Sequence, residues 1–168
     1  MIDVKGLTKE YDSVKAIDNL SFTINKGDIV GFLGPNGAGK TTTMKLLTCF
    51  MPPTSGTASI NGLSIIDDAF AIKTMIGYLP ENNPIYTDMT VIDYLTFIAN
   101  IRKIKDPHPH LKRVIDLCEL GNVINKPIEN CSKGFKQRVG LAQSLIHKPD
   151  ILILDEPTVG LDPNQIIE

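Results

Sequence analysis

Apolar residues along the 168-residue chain fall into two rhythms. Short apolar or alternating runs, mostly bounded by Gly, Asn, Asp or Pro, predict strands over 2–7, 20–24, 29–33, 57–60, 76–79 and 151–154. Two of them, Ile29-Val30-Gly31-Phe32-Leu33 and Ile151-Leu152-Ile153-Leu154, are continuously apolar, the pattern of strands buried on both faces of a parallel sheet. Helical spacing links Val91, Tyr94, Leu95, Phe97, Ile98 and Ile101, and again Leu111, Val114, Ile115, Leu117 and Cys118. These stripes read as core-packing faces. The turn-rich ENNPIYTDMT leads into this block and LGNVINKPIENCSKG leads out of it. Residues 82–148 are therefore expected to form a helical subdomain inserted into an α/β core built from 1–81 and 149–168. No internal repeat or low-complexity segment interrupts the pattern.

Composition narrows the class. With 42% hydrophobic and 21% charged residues the chain is an ordinary globular sequence of one-domain size, which excludes intrinsic disorder and fibrous repeats. A formal charge of -2 supplies no overall basic field, so no nucleic-acid partner is expected. The longest apolar runs fall far short of the ~20 residues of a membrane-spanning helix. The opening MIDVKGLTKEY scatters charges where a secretory signal needs an apolar stretch, so a soluble, cytoplasmic chain is expected. Cys49, Cys118 and Cys131, odd in number and widely spaced, read as reduced thiols. His108 and His110, in the run DPHPH, read as residues of a solvated, Pro-interrupted loop, and His147 as a cation closing a helix, so none is taken as a metal ligand.

Candidate chemistry begins where the first continuously apolar run ends. Gly34-Pro35-Asn36-Gly37-Ala38-Gly39-Lys40-Thr41-Thr42 satisfies G-x-x-x-x-G-K-[ST] in the strand-to-helix context that this motif requires. Glycines let the backbone wrap closely around phosphate oxygens, amides at the start of the following helix point inward, and the helix dipole favours the negative charge. Lys40 is expected to reach the β and γ phosphates of ATP, and the Thr41 hydroxyl to ligate Mg²⁺, an octahedral, oxygen-seeking cation.

ILILDEP places Asp155 at the C-terminal end of the second apolar run, where open α/β sheets put their ligand chemistry. Asp155 is expected to bind Mg²⁺ directly or through water. Glu156 is placed to orient or deprotonate the water that attacks the γ phosphate, in a mechanism of positioning and electrostatics. An apolar run followed by Asp-Glu is a weak signal alone; paired with the phosphate loop it becomes a strong one.

Together, GPNGAGKTT and CSKGFKQRVGLAQSLIHKPDILILDEPTVGLDP resemble the ATP-binding cassette family, the nucleotide-binding domains of ABC transporters, over nearly the whole chain. The resemblance implies an α/β phosphate-loop NTPase (RecA-like) core with the family's antiparallel β part and an inserted helical subdomain. The family's signature, usually L-S-G-G-Q, is Cys131-Ser132-Lys133-Gly134-Phe135 here, so only the Ser and the second Gly are kept. Lys136, Gln137 and Arg138 match the usual continuation, as do Pro157, Thr158 and the turn Val159-Gly160-Leu161-Asp162. Ser132 and the amides near Gly134 could form a helix N-terminal anion site, which the resemblance assigns to the γ phosphate of ATP held by a second cassette. It also implies that Asp162 belongs to that two-cassette sandwich and that Tyr11 stacks on adenine. Glu81 stands where the family usually has a Gln that senses the metal and the transmembrane partner. A carboxylate there can still take a Mg²⁺-bound water, but it adds negative charge beside the metal.

The pairing of YLPENNPIYTDMTV with SKGFKQRVGLAQSLIHKPDILILDEPT is similar to ABC-2 type exporters related to gliding-motility ATPases. The separation of Lys40 from Ser132 leaves no room for the long coiled coil of chromosome-organising or repair cassettes. The family continues past the position of Glu168 with another strand and a histidine near the γ phosphate, so the chain is expected to be a shortened cassette that binds nucleotide and turns it over weakly. The leading expectation is the ATP-hydrolysing subunit of a membrane exporter, on the cytoplasmic face of the membrane, paired with a second cassette and with transmembrane permease subunits. A soluble, translation-associated cassette and a nucleotide-binding switch without turnover remain the alternatives.

Overall fold

A computed structural model describes residues 1–157. The chain divides into two compact units, Met1–Met75 and Ile76–Glu168.

The first unit is built on an antiparallel sheet. Strands β1 (Ile2–Tyr11) and β2 (Val14–Ile24) form a hairpin joined by Asp12 and Ser13, both with positive φ (43° and 75°). That two-residue, left-handed turn matches the right-handed twist of its strands. Strand β3 (Ser55–Ile60) pairs with the other edge of β1, and the short β4 (Leu63–Ser64) follows it, giving the order β2-β1-β3-β4. Ile2, Val4, Leu7, Ile17, Ala58 and Ile60 are buried. Helix α1 (Lys40–Leu47) contributes Thr43, Leu46 and Leu47 to this unit's interior, and α2 (Ala69–Met75) contributes Ile72.

In the second unit, β5 (Ile76–Leu79) and β6 (Ile151–Leu154) lie parallel in the register Ile76↔Ile151 to Leu79↔Leu154. Between them in sequence come α3 (Val91–Ile101), α4 (Pro107–Leu117) and α5 (Lys133–Leu145). Val91, Tyr94, Leu95 and Ala99 of α3, Leu111 and Val114 of α4, and Val139 and Ala142 of α5 share one buried cluster, so the helical stripes pack as expected at their centres, whereas Phe97, Ile101 and Leu117 of the same stripes are exposed. Thr90 caps α3, accepting from the amide of Asp93 at 3.2 Å. Helix α5 also lies tightly on β5. A Cβ on Gly77 would come within 2.2 Å of the Ser144 carbonyl oxygen, so only glycine permits this approach. Because side chains alternate across a strand, Gly77, Leu79 and Leu152 occupy the face toward α5, and Ile76, Tyr78 and Ile153 the opposite face.

The structure corrects four expectations. Residues 29–33 form no strand, and Ile29 and Leu33 are 102% and 94% exposed. An apolar segment becomes a strand only when neighbouring backbones complete its ladder, and the described residues supply none. Strand β6 pairs along β5 alone among the described residues, and Leu152 is exposed, so burial on both faces is not reached. DPHPH opens α4 instead of forming a loop: Pro107 takes the first turn, where its missing N–H costs no hydrogen bond. His110 there lies 2.7 Å by Nδ1 from the Ile146 carbonyl oxygen. His147 is not a helix-end cation. Its Nε2 lies 3.1 Å from the Ile76 carbonyl oxygen, and burial, then the charge of Arg102, lowers its pKa.

The cysteines Cys49, Cys118 and Cys131 are buried free thiols, as expected. Thr158 and the turn Val159-Gly160-Leu161-Asp162 lie outside the described residues.

Candidate functional site

The phosphate loop belongs to the first unit. It leaves the exposed 29–33 segment, turns through an Ala38 amide donating to Pro35 O at 3.2 Å, and enters α1 at Gly39. Gly37 and Gly39 are left-handed, with φ of 82° and 85°. At Gly39 a side chain is excluded twice, by this φ and by the Ala16 carbonyl oxygen, which would lie 2.3 Å from a Cβ. Gly39 has no side chain with which to cap α1, so the helix's first amides have no intrahelical acceptor and carry the positive end of its dipole. Lys40 folds back into the loop: its Nζ donates to the carbonyl oxygens of Gly34 (2.7 Å) and Pro35 (3.0 Å). Gly34 through Ala38 are exposed, while Lys40, Thr41 and Thr42 are half-buried. The ammonium, the amides of α1 and the Thr41 hydroxyl thus lie along one short stretch of chain.

Tyr11 closes β1 in the same unit. It is exposed, its hydroxyl donates to Met51 Sδ at 2.9 Å, and the ammonium of Lys9 stands 5.2 Å from its ring centroid. With Lys9 over the ring, the exposed part of Tyr11 is a planar apolar surface of the kind that stacks.

The remaining described candidates lie in the second unit. Asp155 directly follows β6 and extends the parallel ladder, its amide donating to Leu79 O at 2.9 Å. It is 1% exposed, and its Oδ2 is buried without a hydrogen-bond partner among the described residues. A buried carboxylate oxygen with no donor is costly unless something else meets its charge. Mg²⁺ typically takes one or two protein oxygens and fills its shell with phosphate and water. The buried Oδ2 of Asp155, unpartnered among the described residues, fits such a sparse protein contribution. Glu156 is exposed and adopts φ 50°, a left-handed conformation uncommon for a residue with a Cβ. Pro157 accepts from Gln137 Nε2 of α5 at 3.3 Å, which ties the chain after Glu156 to the helix. Glu81 sits exposed on the loop after β5.

Ser132 is the N-cap of α5. Its Oγ accepts the Phe135 amide at 3.3 Å, so the hydroxyl proton stays free to donate to an anion while Gly134 is buried beneath it in the first turn. At the other end of α5, Arg113 and His110 of α4 bond the carbonyl oxygens of Leu145 and Ile146.

Sequence reasoning missed Tyr78. Its hydroxyl is buried without a partner among the described residues, and burial, followed by the negative charge of Asp155, pushes its phenol up to about 12. A tyrosine within an otherwise apolar four-residue strand was the available signal.

A glycine-rich loop wrapped onto a helix N-terminus, with its lysine folded inward and a buried aspartate ending a parallel strand, is the architecture of phosphate-loop nucleotide-binding proteins. The chain belongs to the ABC transporter family, whose pattern matches residues 17–159. It is 39% identical, over 97% of its length, to the uncharacterized ABC transporter ATP-binding protein YxlF of Bacillus subtilis (strain 168). It is 40% identical over 100% of its length to the bacitracin transport ATP-binding protein BcrA of Bacillus licheniformis. It covers 54% and 55% of these two proteins, so the chain spans about half the length of the curated relatives it matches. A solved ATP-binding subunit of an ABC transporter superposes with a TM-score of 0.87 at 29% identity, over 99% of this chain and 70% of the other. The fold expected from the sequence, a phosphate-loop core with antiparallel and helical parts, is therefore the fold of the chain. No helix among the described residues is long and apolar enough to cross a membrane.

Proposed function

We propose that the chain is the ATP-binding and ATP-hydrolysing part of an ABC exporter subunit, of the ABC-2 type, acting at the cytoplasmic face of the membrane with permease subunits and a second cassette. The observation that carries the reading is the fold of Lys40 into the carbonyls of Gly34 and Pro35 at the mouth of α1. An ammonium held by two neutral carbonyls exchanges them readily for anionic phosphate oxygens, because the opposite charge adds a Coulomb attraction that a neutral carbonyl oxygen does not supply. The amides at the start of α1 receive the same phosphates, and Tyr11 offers its ring to the adenine. Thr41 and Asp155 are the residues that would hold Mg²⁺, with Glu81 on one of its waters. When bound, that ion neutralises charge on the β and γ phosphate oxygens.

Glu156 takes the proton of the attacking water as its oxygen bonds to the γ phosphorus and the bond from phosphorus to the bridging oxygen breaks, releasing ADP and phosphate. Ser132 donates its free hydroxyl proton to the γ phosphate held on the opposite cassette, and Asp162 belongs to the same contact. The 82–148 block serves as the family's helical subdomain. Export as the direction of transport is supported by the similarity to the Nod factor export ATP-binding protein I of Ralstonia nicotianae, 34% identical over 97% of this chain.

Titration calorimetry of ATP against the protein and its Lys40→Ala variant tests the nucleotide site. Losing a charged bond of about 1.5–3 kcal/mol should weaken binding tenfold or more. Equal affinities would overturn the phosphate-loop reading.

A further inference from the structure

Two polar atoms in the second unit are buried without partners on the same face of the same small sheet. Tyr78 stands opposite Ile153 in the ladder, and Asp155 lies two positions beyond Ile153, so the pleat directs Tyr78 and Asp155 to one side. The ladder continues that far, because the Asp155 amide still donates to Leu79 O. The other side of the sheet is taken up by α5, packed against Gly77. Tyr78 Oη and Asp155 Oδ2 are both enclosed and both unpaired among the described residues, and the charge of Asp155 is felt at the phenol. Their chemistries are complementary. A carboxylate only accepts hydrogen bonds, and a phenol has a proton to give. Leaving both unmet would cost the desolvation of each group with nothing gained in return, so pairing them resolves both.

We propose that Tyr78 is a positioning residue for Asp155: its hydroxyl donates to Asp155 Oδ2, directly or through one bound water, and fixes the direction in which the carboxylate presents its remaining lone pairs. This rests on the reading of Asp155 as a magnesium residue. Carboxylates that ligate metals are themselves held by outer hydrogen bonds, and losing such a partner typically weakens metal affinity by about 10–100-fold. Neighbouring side chains are consistent with the role. Ile153, the residue paired with Tyr78, offers no polar atom, and Leu79 faces α5. Tyr78 is thus the hydroxyl that the strand pair itself brings to Asp155. Glu81 is exposed and cannot donate as a carboxylate.

The test compares nucleotide affinity with Mn²⁺ present and with the metal chelated, for the full protein and its Tyr78→Phe, Asp155→Asn and doubly substituted variants. Tyr78→Phe removes one oxygen and keeps the packed ring. The metal-dependent gain in affinity should shrink about tenfold in Tyr78→Phe while metal-free affinity stays within about twofold. In the Asp155→Asn background, Tyr78→Phe should have no further effect. An unchanged gain overturns the proposal, as does an equal loss of affinity with and without metal, which is the mark of a merely structural role. If the unsubstituted protein shows nucleotide binding but no metal-dependent gain, Asp155 loses its metal role and Tyr78 its positioning role with it. If it binds no nucleotide at all, the function proposed above falls as well.

Discussion

His147 shows how one side chain's surroundings set its charge. Nε2 donates to Ile76 O, which leaves Nδ1 as the bare nitrogen, buried without a partner among the described residues. Protonation would place a second N–H and a charge where nothing accepts them, with Arg102 repelling the new cation. Its folded pKa therefore lies below the ordinary 6.5. Below that value the unfolded chain binds more protons than the folded one, so stability is complete above pH 6.5 and falls as pH drops through the folded pKa. Thermal unfolding should show a melting temperature that holds down to pH 6.5 and declines from there to pH 5.5, and His147→Gln, which keeps a donor for Ile76 O without titrating, should flatten that slope. An unaltered slope in the variant would assign the acid sensitivity to another group. The places of Lys40 at the start of a helix, of Asp155 at the end of a strand and of Ser132 ahead of α5 were legible in the sequence because each follows from residue type and local pattern. Tyr78 and the neutral state of His147 were not, since both depend on burial by segments distant in the chain.

At the scale of elements, the strands Ile76–Leu79 and Ile151–Leu154 were legible to the residue, because each finds its parallel partner in the other. The run 29–33 has an equally strong pattern and no ladder partner among the described residues, so its pattern alone produces no strand. Helix α4 begins before the first residue of its apolar stripe because proline is penalised inside a helix and not at its start. The hairpin grew past its expected ends for a related reason: once Asp12 and Ser13 adopt the turn, Tyr11, Glu10 and Lys9 pair with Val14, Lys15 and Ile17 whatever their hydropathy, with shifts of register at Lys9/Glu10 and Leu7/Lys9. The α5–β5 contact gives the prediction at this scale. Gly77→Ala puts a methyl group against the Ser144 carbonyl oxygen and must push helix and strand apart. Urea unfolding should register a loss of about 1–3 kcal/mol, the usual cost of overpacking. No loss would mean that the close approach is readily relaxed.

For the whole molecule, the proposed sandwich of two cassettes predicts an association that depends on nucleotide. Glu156→Gln keeps the shape of the side chain and cannot take a proton from water, so hydrolysis should slow by about 10²–10⁴-fold while ATP binding persists. Sedimentation of that variant should then reveal dimers with ATP that are absent with ADP; a monomer under both conditions would remove the pairing, and an unchanged hydrolysis rate would remove Glu156 from its role. Helix α5 bears on how two such bodies would find each other. Its C-terminal carbonyls already engage Arg113 and His110, and the guanidinium carries a full positive charge at the negative pole. A pole of about -0.5 elementary charge that meets a full positive charge is left positive, so no negative end subtracts at a distance from the half charge, about +0.5, at Ser132. A dipole's pull on an anion fades as the square of the distance, whereas that of a single charge fades only as its first power until salt screens it, at about 8 Å under physiological conditions. Ser132 therefore exerts an attraction on an approaching phosphate that reaches beyond the range of its own hydrogen bond.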